Sequence, residues 1–349
     1  MNHRFWSSMY LLVTVIALVS LMTVSVAAQA PVSPGKAPAT IKDSKDAKKW
    51  TGKTPDGQPD LQGYWTNSTY TPLQRPQGVT KEFYSGEEVA RVEKQAAERE
   101  AEQTEPGTIA DVHYDFTQFG LDRSQGRLAL NLRTSMIVDP PDGRIPPMTA
   151  DGQRRQAQRA EAAKRKGAPT DAVQNQSLSV RCILMDRDGP PMLPGAYNNT
   201  YQIVQAPGYV MILVEMLHDV RIVPLDGHTD LPAKVSQWQG SYRGRWEGET
   251  LVVESKNFNG KSGFPQNASE NMRMTERFTR VDPDTIRYQF TVDDPSTWSK
   301  PWTAELLMKN TNGPIFEHAC HEGNYGLANT LSGARVEEKR KAEAARPNK

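Results

Sequence analysis

The feature that most constrains the fold is a series of short segments, beginning near residue 179, in which apolar and polar residues alternate. A period of two places successive side chains on opposite faces of a β-strand. The predicted strands are Thr200–Gln205, Tyr209–Met216, Asp219–Pro224, Tyr242–Trp246, Thr250–Glu254, Asn271–Arg280, Thr285–Val292, Trp302–Lys309 and Ile315–His321. Most of the connections between them are short, so neighbouring strands are expected to be antiparallel.

The residues between these strands are typical of tight turns, because Gly, Pro, Asn and Asp adopt the backbone angles that turns require. The predicted turns lie at Pro207-Gly208, Glu247-Gly248-Glu249, Asp282-Pro283-Asp284 and Asn312-Gly313. An antiparallel sheet of about ten strands curls into a barrel or splits into a sandwich. Residues 176–335 therefore predict a mainly β domain with a barrel-like or sandwich sheet.

A helical and irregular segment, residues 59–175, precedes this domain. Ser85 and Glu88 form the Ser-x-x-Glu pattern of a capping box, which predicts a helix beginning there. A second helix is predicted at about 150–166, where alanines lie on one side and basic residues cover much of the rest. The charged residues 336–349 are expected to form a frayed helical tail.

The first thirty residues have the three parts of a secretory signal peptide. Arg4 lies in a short polar start, residues 10–26 are uncharged and mostly apolar, and Ala27-Ala28-Gln29-Ala30 supplies a small-residue cleavage site. An uncleaved membrane anchor is the alternative, because such a run is near the lower limit of about 17–25 residues for a membrane span. We expect cleavage, a flexible linker over 31–58, no later membrane segment, and a periplasmic or secreted protein.

Charge and motifs exclude several classes of function. The chain has 42 basic and 41 acidic residues and a formal net charge of +1, so no nucleic-acid partner is expected. The sequence contains no Gly-x-Ser-x-Gly, no phosphate-binding loop and no Gly-x-Gly-x-x-Gly, and no cofactor is predicted. A small-molecule ligand remains open, as does the oligomeric state.

The chain has two cysteines, Cys182 and Cys320, and both lie in strand-like runs. Export would place them in an oxidising compartment, where disulfides persist, so we expect one long-range disulfide. Closing so long a loop stabilises the fold by roughly 4–5 kcal/mol in the chain-entropy model. The alternatives are two buried free thiols or, less favoured, a catalytic cysteine.

Two glutamates interrupt apolar strand faces. Glu276 shares a predicted face with Met274 and Phe278, and Glu215 shares one with Leu213. A buried carboxylate is costly unless it is paired, protonated or facing a cavity. Burial raises the pKa of a carboxyl group, which suits a general acid or base near neutral pH.

The alternative role for these glutamates is a structural ion pair, with Arg221 or Arg245 as the partner. His218 follows the strand that carries Glu215 and precedes Asp219. A histidine at such a strand end either transfers protons or serves as a turn residue with one satisfied hydrogen bond.

A polar cluster lies between residues 317 and 324. Its His318-x-x-His321 spacing places the two imidazoles on opposite faces of a strand, so no metal site is predicted. If Cys320 forms a disulfide, His321, Glu322 and Asn324 lie on a fixed turn that suits a preorganised site.

These residues give one main functional hypothesis, an acid–base enzyme acting on a small polar or sugar-like molecule in a barrel cavity. Its base is Glu276 or Glu215 and its acid is His218 or His321. The candidate ligand-binding residues are Asn198, Asn199, Tyr201, Arg221, Glu322, Asn324 and Trp302. Trp302 would either stack on a ligand or, together with Trp298, plug one end of the barrel.

The alternatives are a non-catalytic, lipocalin-like carrier and an envelope-associated structural protein. Convergence of the four catalytic candidates on one open cavity favours the enzyme. An apolar cavity with paired glutamates favours the carrier, and a filled barrel favours the structural protein.

Several longer runs resemble a large family of exported bacterial proteins of acidobacterial and proteobacterial type. The runs are RTSMIVDPPDGRIPPM, GPPMLPGAYNNTYQIVQAPGYVMILVEMLHDVRIVPLDG, GRWEGETLVVES and DPSTWSKPWTAELLM. The resemblance covers most of residues 60–335 and implies no established activity, so it assigns no catalytic residue. The family often has an aromatic residue at the position of His318. Gly63-x-Trp65 and Gly244-x-Trp246 also resemble the short lipocalin signature.

Overall fold

Ten strands, three α-helices and two short 3₁₀ helices make up the part of the chain that the structure, a computed structural model, describes. That part comprises residues 50–100, 132–185, 189–195, 197–225, 231–232, 234–262 and 268–346. The strands are β1 (Gly63–Thr66), β2 (Ile137–Asp139), β3 (Thr200–Ala206), β4 (Tyr209–Val214), β5 (Asp219–Pro224), β6 (Ser241–Glu247), β7 (Thr250–Lys256), β8 (Arg273–Asp282), β9 (Thr285–Asp293) and β10 (Trp302–Thr311). The helices are α1 (Gly86–Glu100), α2 (Ala150–Arg165) and α3 (Tyr325–Ala344), and the 3₁₀ helices are Val173–Asn175 and Met216–His218.

All ten strands belong to one antiparallel sheet with the order β5-β4-β3-β1-β10-β9-β8-β7-β6, and β2 pairs with β10 as a side branch. The predicted mainly β fold of about ten antiparallel strands is therefore confirmed. β1 and β2 precede the segment in which the sequence predicted the sheet. β1 lies between β3 and β10, so the N-terminal segment contributes an inner strand rather than only a cover.

The two ends of the strand order, β5 and β6, lie near each other, but no backbone pairing joins them among the described residues. A methyl group at Gly244 of β6 would lie 2.8 Å from a side-chain carbon of Val223 and 2.8 Å from one of Leu225. These side chains therefore pack directly on the bare backbone of β6. The sheet is an open, barrel-like structure whose edges meet through side chains.

The predicted strand at Ile315–His321 is wrong, because residues 312–319 are irregular and residues 320–324 form turns. Gly313 has a φ of +51°, and Pro314 has no N–H to donate to a strand partner. Cys182 and Cys320 likewise lie in turns rather than strands.

The strand predicted as Tyr209–Met216 ends at Val214, and Glu215 causes the end. The backbone N–H of Glu215 donates to the Thr200 carbonyl at 3.0 Å, as a strand residue would. Its side-chain Oε2 accepts the Thr200 N–H at 3.0 Å, where a backbone carbonyl would otherwise bind. The side chain thus replaces the last bond of the ladder and frees the chain to turn.

The sheet encloses an aromatic core. Phe278, Tyr288, Phe290, Trp302 and Trp298 form a continuous series with ring centroids 4.9, 5.8, 5.8 and 6.0 Å apart. Each of these side chains is at most 1% exposed. Such tilted and edge-to-face pairs stabilise a core beyond the area they bury. Trp298 and Trp302 are therefore core residues.

The helices begin at side-chain caps. Ser85 and Glu88 form the predicted capping box, in which the Ser85 N–H donates to the Glu88 carboxylate at 2.8 Å and the Glu88 N–H donates to Ser85 Oγ at 3.3 Å. Asn324 caps α3 by accepting the Leu327 N–H at 3.3 Å. α3 therefore begins well before the charged tail, 336–349, to which the sequence analysis confined it.

The predicted signal peptide lies outside the described residues, as does the predicted linker up to residue 49. Within the predicted linker, Trp50 packs on the sheet. The Arg280 guanidinium lies 4.0 Å from the centre of the Trp50 ring and 4.9 Å from that of Trp65, which is the tryptophan of the first Gly-x-Trp pattern. Among the described helices, none combines the length and apolar character that a membrane crossing requires.

Candidate functional site

The predicted disulfide between Cys182 and Cys320 is confirmed, with the two Cα atoms 5.8 Å apart and a sequence separation of 138 residues. It joins the turn after Ser179 to the turn at 320–324. The bond therefore holds the C-terminal polar cluster against a distant part of the chain.

A cleft of about 310 Å³ lies beside this bond, and we call it the disulfide cleft. Its lining residues are Cys182, Ile183, Leu217, His218, Asp219, Glu317, His318, Ala319, Cys320, His321 and Glu322. A second groove of about 590 Å³ also borders the disulfide and contains Asn324 in its lining. The disulfide cleft is the more polar of the two and gathers histidines and carboxylates from two distant segments.

Backbone strain concentrates at the disulfide cleft. Leu217 and His218 have φ values of +56° and +53°, and Cys182 has a φ of +53°. A residue other than glycine in this region costs of the order of 1–3 kcal/mol, so the surroundings must hold it there. The disulfide holds Cys182. His318 Nδ1 accepts the Leu217 N–H at 3.1 Å, and the His218 N–H donates to the Glu215 carbonyl at 3.1 Å.

Glu215 lies directly behind this turn and is 5% exposed. Burial raises the pKa of its carboxyl group, and the hydrogen bonds from Thr200 and the nearby charge of His218 offset part of that rise. Glu215 does not itself line the cleft.

His218 lines the cleft with a half-buried side chain, and its Nδ1 atom is buried. This nitrogen has no hydrogen-bond partner among the described residues. Most buried polar atoms in proteins are satisfied by protein or water, so an orphaned imidazole nitrogen beside a cleft calls for an explanation. A buried water would supply the missing bond.

The charge of the cleft is predominantly negative. Asp219, Glu317 and Glu322 line it, and its lining in the described part of the chain includes no lysine or arginine. His321 and Glu322 are exposed at its rim. Carboxylates of this kind accept hydrogen bonds from hydroxyl or ammonium groups of a ligand. The described residues contain no group of three or more His, Cys, Asp or Glu side chains arranged to hold a metal ion.

Glu276 lies elsewhere, inside the barrel-like sheet, in a bidentate ion pair with Arg221. Neither side chain is exposed, and the Tyr288 hydroxyl donates to Glu276 Oε1 at 2.7 Å. Burial lowers the pKa of Arg221, but the charge and hydrogen bonds of Glu276, together with Tyr242 and Tyr288, outweigh burial and raise it. The Arg221 guanidinium also lies 4.9 Å from the centre of the Tyr242 ring.

This is the ion-pair alternative that the sequence left open, with Arg221 as the partner. Arg245 instead binds Glu247 and Glu254 at the surface. A base must reach its substrate, and Glu276 has no exposed surface. Glu276 and Arg221 also do not line the disulfide cleft.

The remaining ligand-binding candidates do not line the disulfide cleft. Asn199 is buried and binds the backbone of Gly195, accepting its N–H at 2.7 Å and donating to its carbonyl at 2.9 Å. Tyr201 is 1% exposed, and its hydroxyl accepts from Asn67 at 3.1 Å. Asn198 precedes them with a φ of +54°. Asn324 caps α3 and borders the other groove, and Trp302 belongs to the core.

The structure thus brings together His218, His321 and Glu322 from the predicted set, with Glu215 directly behind. Sequence reasoning missed Leu217, whose conformation positions His218, and did not propose that Asp219 and Glu317 share the cleft. Asp219 stands next to the predicted His218, and Glu317 belongs to the polar cluster between residues 317 and 324, and these positions were the available signal.

No family model, curated protein or solved structure matches this chain. Membership of the exported family that its motifs resemble stays a prediction.

Proposed function

We propose that this protein binds a small polar molecule in the disulfide cleft and performs acid–base chemistry on it through His218. The observation that carries the proposal is the half-buried side chain of His218, which lines a cleft of about 310 Å³ together with three carboxylates. Ligand sites in proteins commonly begin at about 300 Å³ and contain few polar groups, which fix the orientation of the ligand.

The chemistry follows from the neighbours of His218. An imidazole changes charge near neutral pH and can give or take a proton at a ligand hydroxyl or amine. Glu215 is buried behind the turn, and the nearby charge of His218 partly offsets the rise that burial causes in the pKa of its carboxyl group. Asp219, Glu317 and Glu322 accept hydrogen bonds from the ligand and set its orientation.

Backbone strain also supports the disulfide cleft as the functional site. Proteins keep non-glycine residues in left-handed conformations mainly where the surroundings enforce them, and such residues cluster at functional sites. Cys182, Leu217 and His218 all line this one cleft.

The proposed location is the periplasm or the extracellular space. A disulfide persists in an oxidising compartment and is compatible with the signal peptide that the sequence predicts.

A structural, association-based role is the second candidate. The barrel interior is filled by aromatic rings and by the Arg221–Glu276 pair, which argues against a ligand carried inside the sheet. The outer face of β4 and β5 exposes Tyr209, Val220 and Ile222, the last of which is 57% exposed. Exposed apolar patches often mark association surfaces.

Ligand-observed NMR on the mature chain tests the first proposal with a panel of monosaccharides, polyols, amino acids and hydroxy acids. We expect Asp219→Asn to weaken binding of the responding ligand. We expect His218→Asn to lower its turnover by about 10²–10⁴-fold with smaller loss of binding. Asp293→Asn, an exposed carboxylate at the end of β9, is the matched control. If neither Asp219→Asn nor His218→Asn changed the binding of the ligand, the proposal would be contradicted.

A further inference from the structure

His318 is bonded to the turn that presents His218. Its Nδ1 accepts the Leu217 N–H at 3.1 Å, and the two residues are 101 positions apart in the chain. Leu217 is the first of two consecutive left-handed residues, and His218 is the second. A single side-chain bond therefore contributes to holding the strained pair.

Whether His318 Nδ1 can accept this bond depends on the protonation state of the imidazole. A neutral imidazole has one nitrogen that accepts and one that donates, whereas both nitrogens of the protonated ring donate. The bond to the Leu217 N–H requires Nδ1 without a proton. Once Nδ1 is protonated, two N–H groups face each other and the bond is lost.

Two other contacts hold His318, so we expect it to stay in place when that bond breaks. Cys320, two residues away, is joined to Cys182, and the ring of His318 packs edge-on against Tyr197 with centroids 6.4 Å apart. The mobile partner is therefore the Leu217–His218 turn. The effect of protonation is confined to the side of the cleft that carries His218.

Several charged and titratable groups of the described residues lie near His318. From its own segment and from the β4–β5 turn, these groups are Glu317, His321, Glu322, His218 and Asp219, and the phenol of Tyr197 packs against the ring. The three carboxylates favour the imidazolium, whereas the two imidazoles oppose it when charged. An imidazole without charged neighbours takes up its proton at about pH 6.5.

We propose that His318 is a pH-sensitive positioning residue, whose neutral imidazole holds the Leu217–His218 turn and whose protonation releases it. The proposal rests on the proposed role of His218 and adds a regulation to that site. The cleft is ordered at and above neutral pH and loses the orientation of His218 in acid.

An NMR titration of the mature, ¹⁵N-labelled chain from about pH 8 to about pH 5 tests this, with the imidazole and Leu217 amide signals followed together. We expect the Leu217 amide, and the His218 ring, to change with the same midpoint as the His318 ring. Amide exchange of Leu217, corrected for intrinsic rates, is expected to rise about tenfold in acid, the scale of one lost hydrogen bond.

Three variants make the test specific. His318→Gln has a side-chain oxygen that accepts at every pH, so Leu217 is expected to stay protected throughout. His318→Phe removes the acceptor, so Leu217 is expected to exchange fast at both ends of the titration. His321→Asn removes another imidazole from the same segment and is expected to leave the Leu217 titration in place.

A Leu217 amide that stays unchanged while His318 titrates overturns the proposal, as does a His318 ring that remains neutral down to about pH 5. A Leu217 titration that persists in His318→Gln also overturns it. The measurement requires no ligand, so its failure leaves the ligand-binding proposal standing. A failed ligand screen likewise leaves the Leu217 result intact.

Discussion

Arg221 of β5 and Glu276 of β8 are 55 residues apart in the chain and form a two-point ion pair from which solvent is excluded. Tyr288 donates a third hydrogen bond to the carboxylate, and the ring of Tyr242 lies against the guanidinium. The pair therefore connects opposite ends of the open strand order, β5 at its edge and β8 near the other edge.

Replacing Glu276 with glutamine is expected to lower the free energy of unfolding by about 3–5 kcal/mol, because it leaves a buried guanidinium without its counter-charge. Urea unfolding at neutral pH measures this. Glu254→Gln is the control, since Glu254 pairs with Arg245 at the surface and should contribute about 0–1 kcal/mol. A loss below that of the control would contradict the structural role of the pair.

Gly244→Ala tests how the sheet edges meet. The added methyl group would lie 2.8 Å from Val223 and from Leu225, so we expect a loss of about 1–3 kcal/mol on overpacking. Gly86→Ala is the control, because no atom lies within 4 Å of its added methyl group. Thermal unfolding of both variants decides the point, and equal melting temperatures would mean that β5 and β6 do not pack as described.

Glu215 predicts a pH dependence of stability. Burial raises its folded-state pKa above the ordinary value of 4.5, so the folded state binds this proton more tightly than the unfolded state. The resulting stability is fully present below pH 4.5 and is lost as the pH rises through the folded pKa. Relative to the native chain, Glu215→Gln is therefore expected to become more stable as the pH rises through that window. Urea unfolding curves of Glu254→Gln at the same pH values serve as the reference. A difference in stability between Glu215→Gln and the native chain that does not change with pH would contradict the raised pKa of Glu215.

Removing the disulfide with Cys182→Ser and Cys320→Ser together is expected to lower stability by roughly 4–5 kcal/mol in the chain-entropy model. Because the chain has two cysteines, reductant should destabilise the native protein by a similar amount and leave the double variant unchanged. If reductant also destabilised the double variant, its effect on the native protein would not come from breaking the Cys182–Cys320 bond.

The sequence predicted the parts of the fold that depend on local alternation. In β8, Met274, Glu276 and Phe278 are buried as a set while Arg273 is exposed, as a period of two requires. The capping box at Ser85 was also predictable, because it depends on residue types at a short spacing. The disulfide was predictable because two cysteines in an oxidising compartment are expected to pair.

The parts that escaped prediction depend on contacts between distant residues. β4 ends at Val214 because a side chain, that of Glu215, takes over a backbone bond to Thr200. Alternation carries no information on such a replacement. The disulfide cleft likewise requires the turn at Leu217 to meet His318, a contact that no local pattern encodes.

The bond between Cys182 and Cys320 has a consequence for proteolysis. It closes a covalent ring that contains β3 to β10, whereas β1 lies outside the ring and yet fills the place between β3 and β10. A single cut anywhere inside the ring therefore leaves two pieces that stay tethered until a reductant separates them. A cut between β1 and Cys182 frees β1 from this tether, and its retention then depends on its hydrogen bonds to both neighbours and on the buried side chain of Trp65.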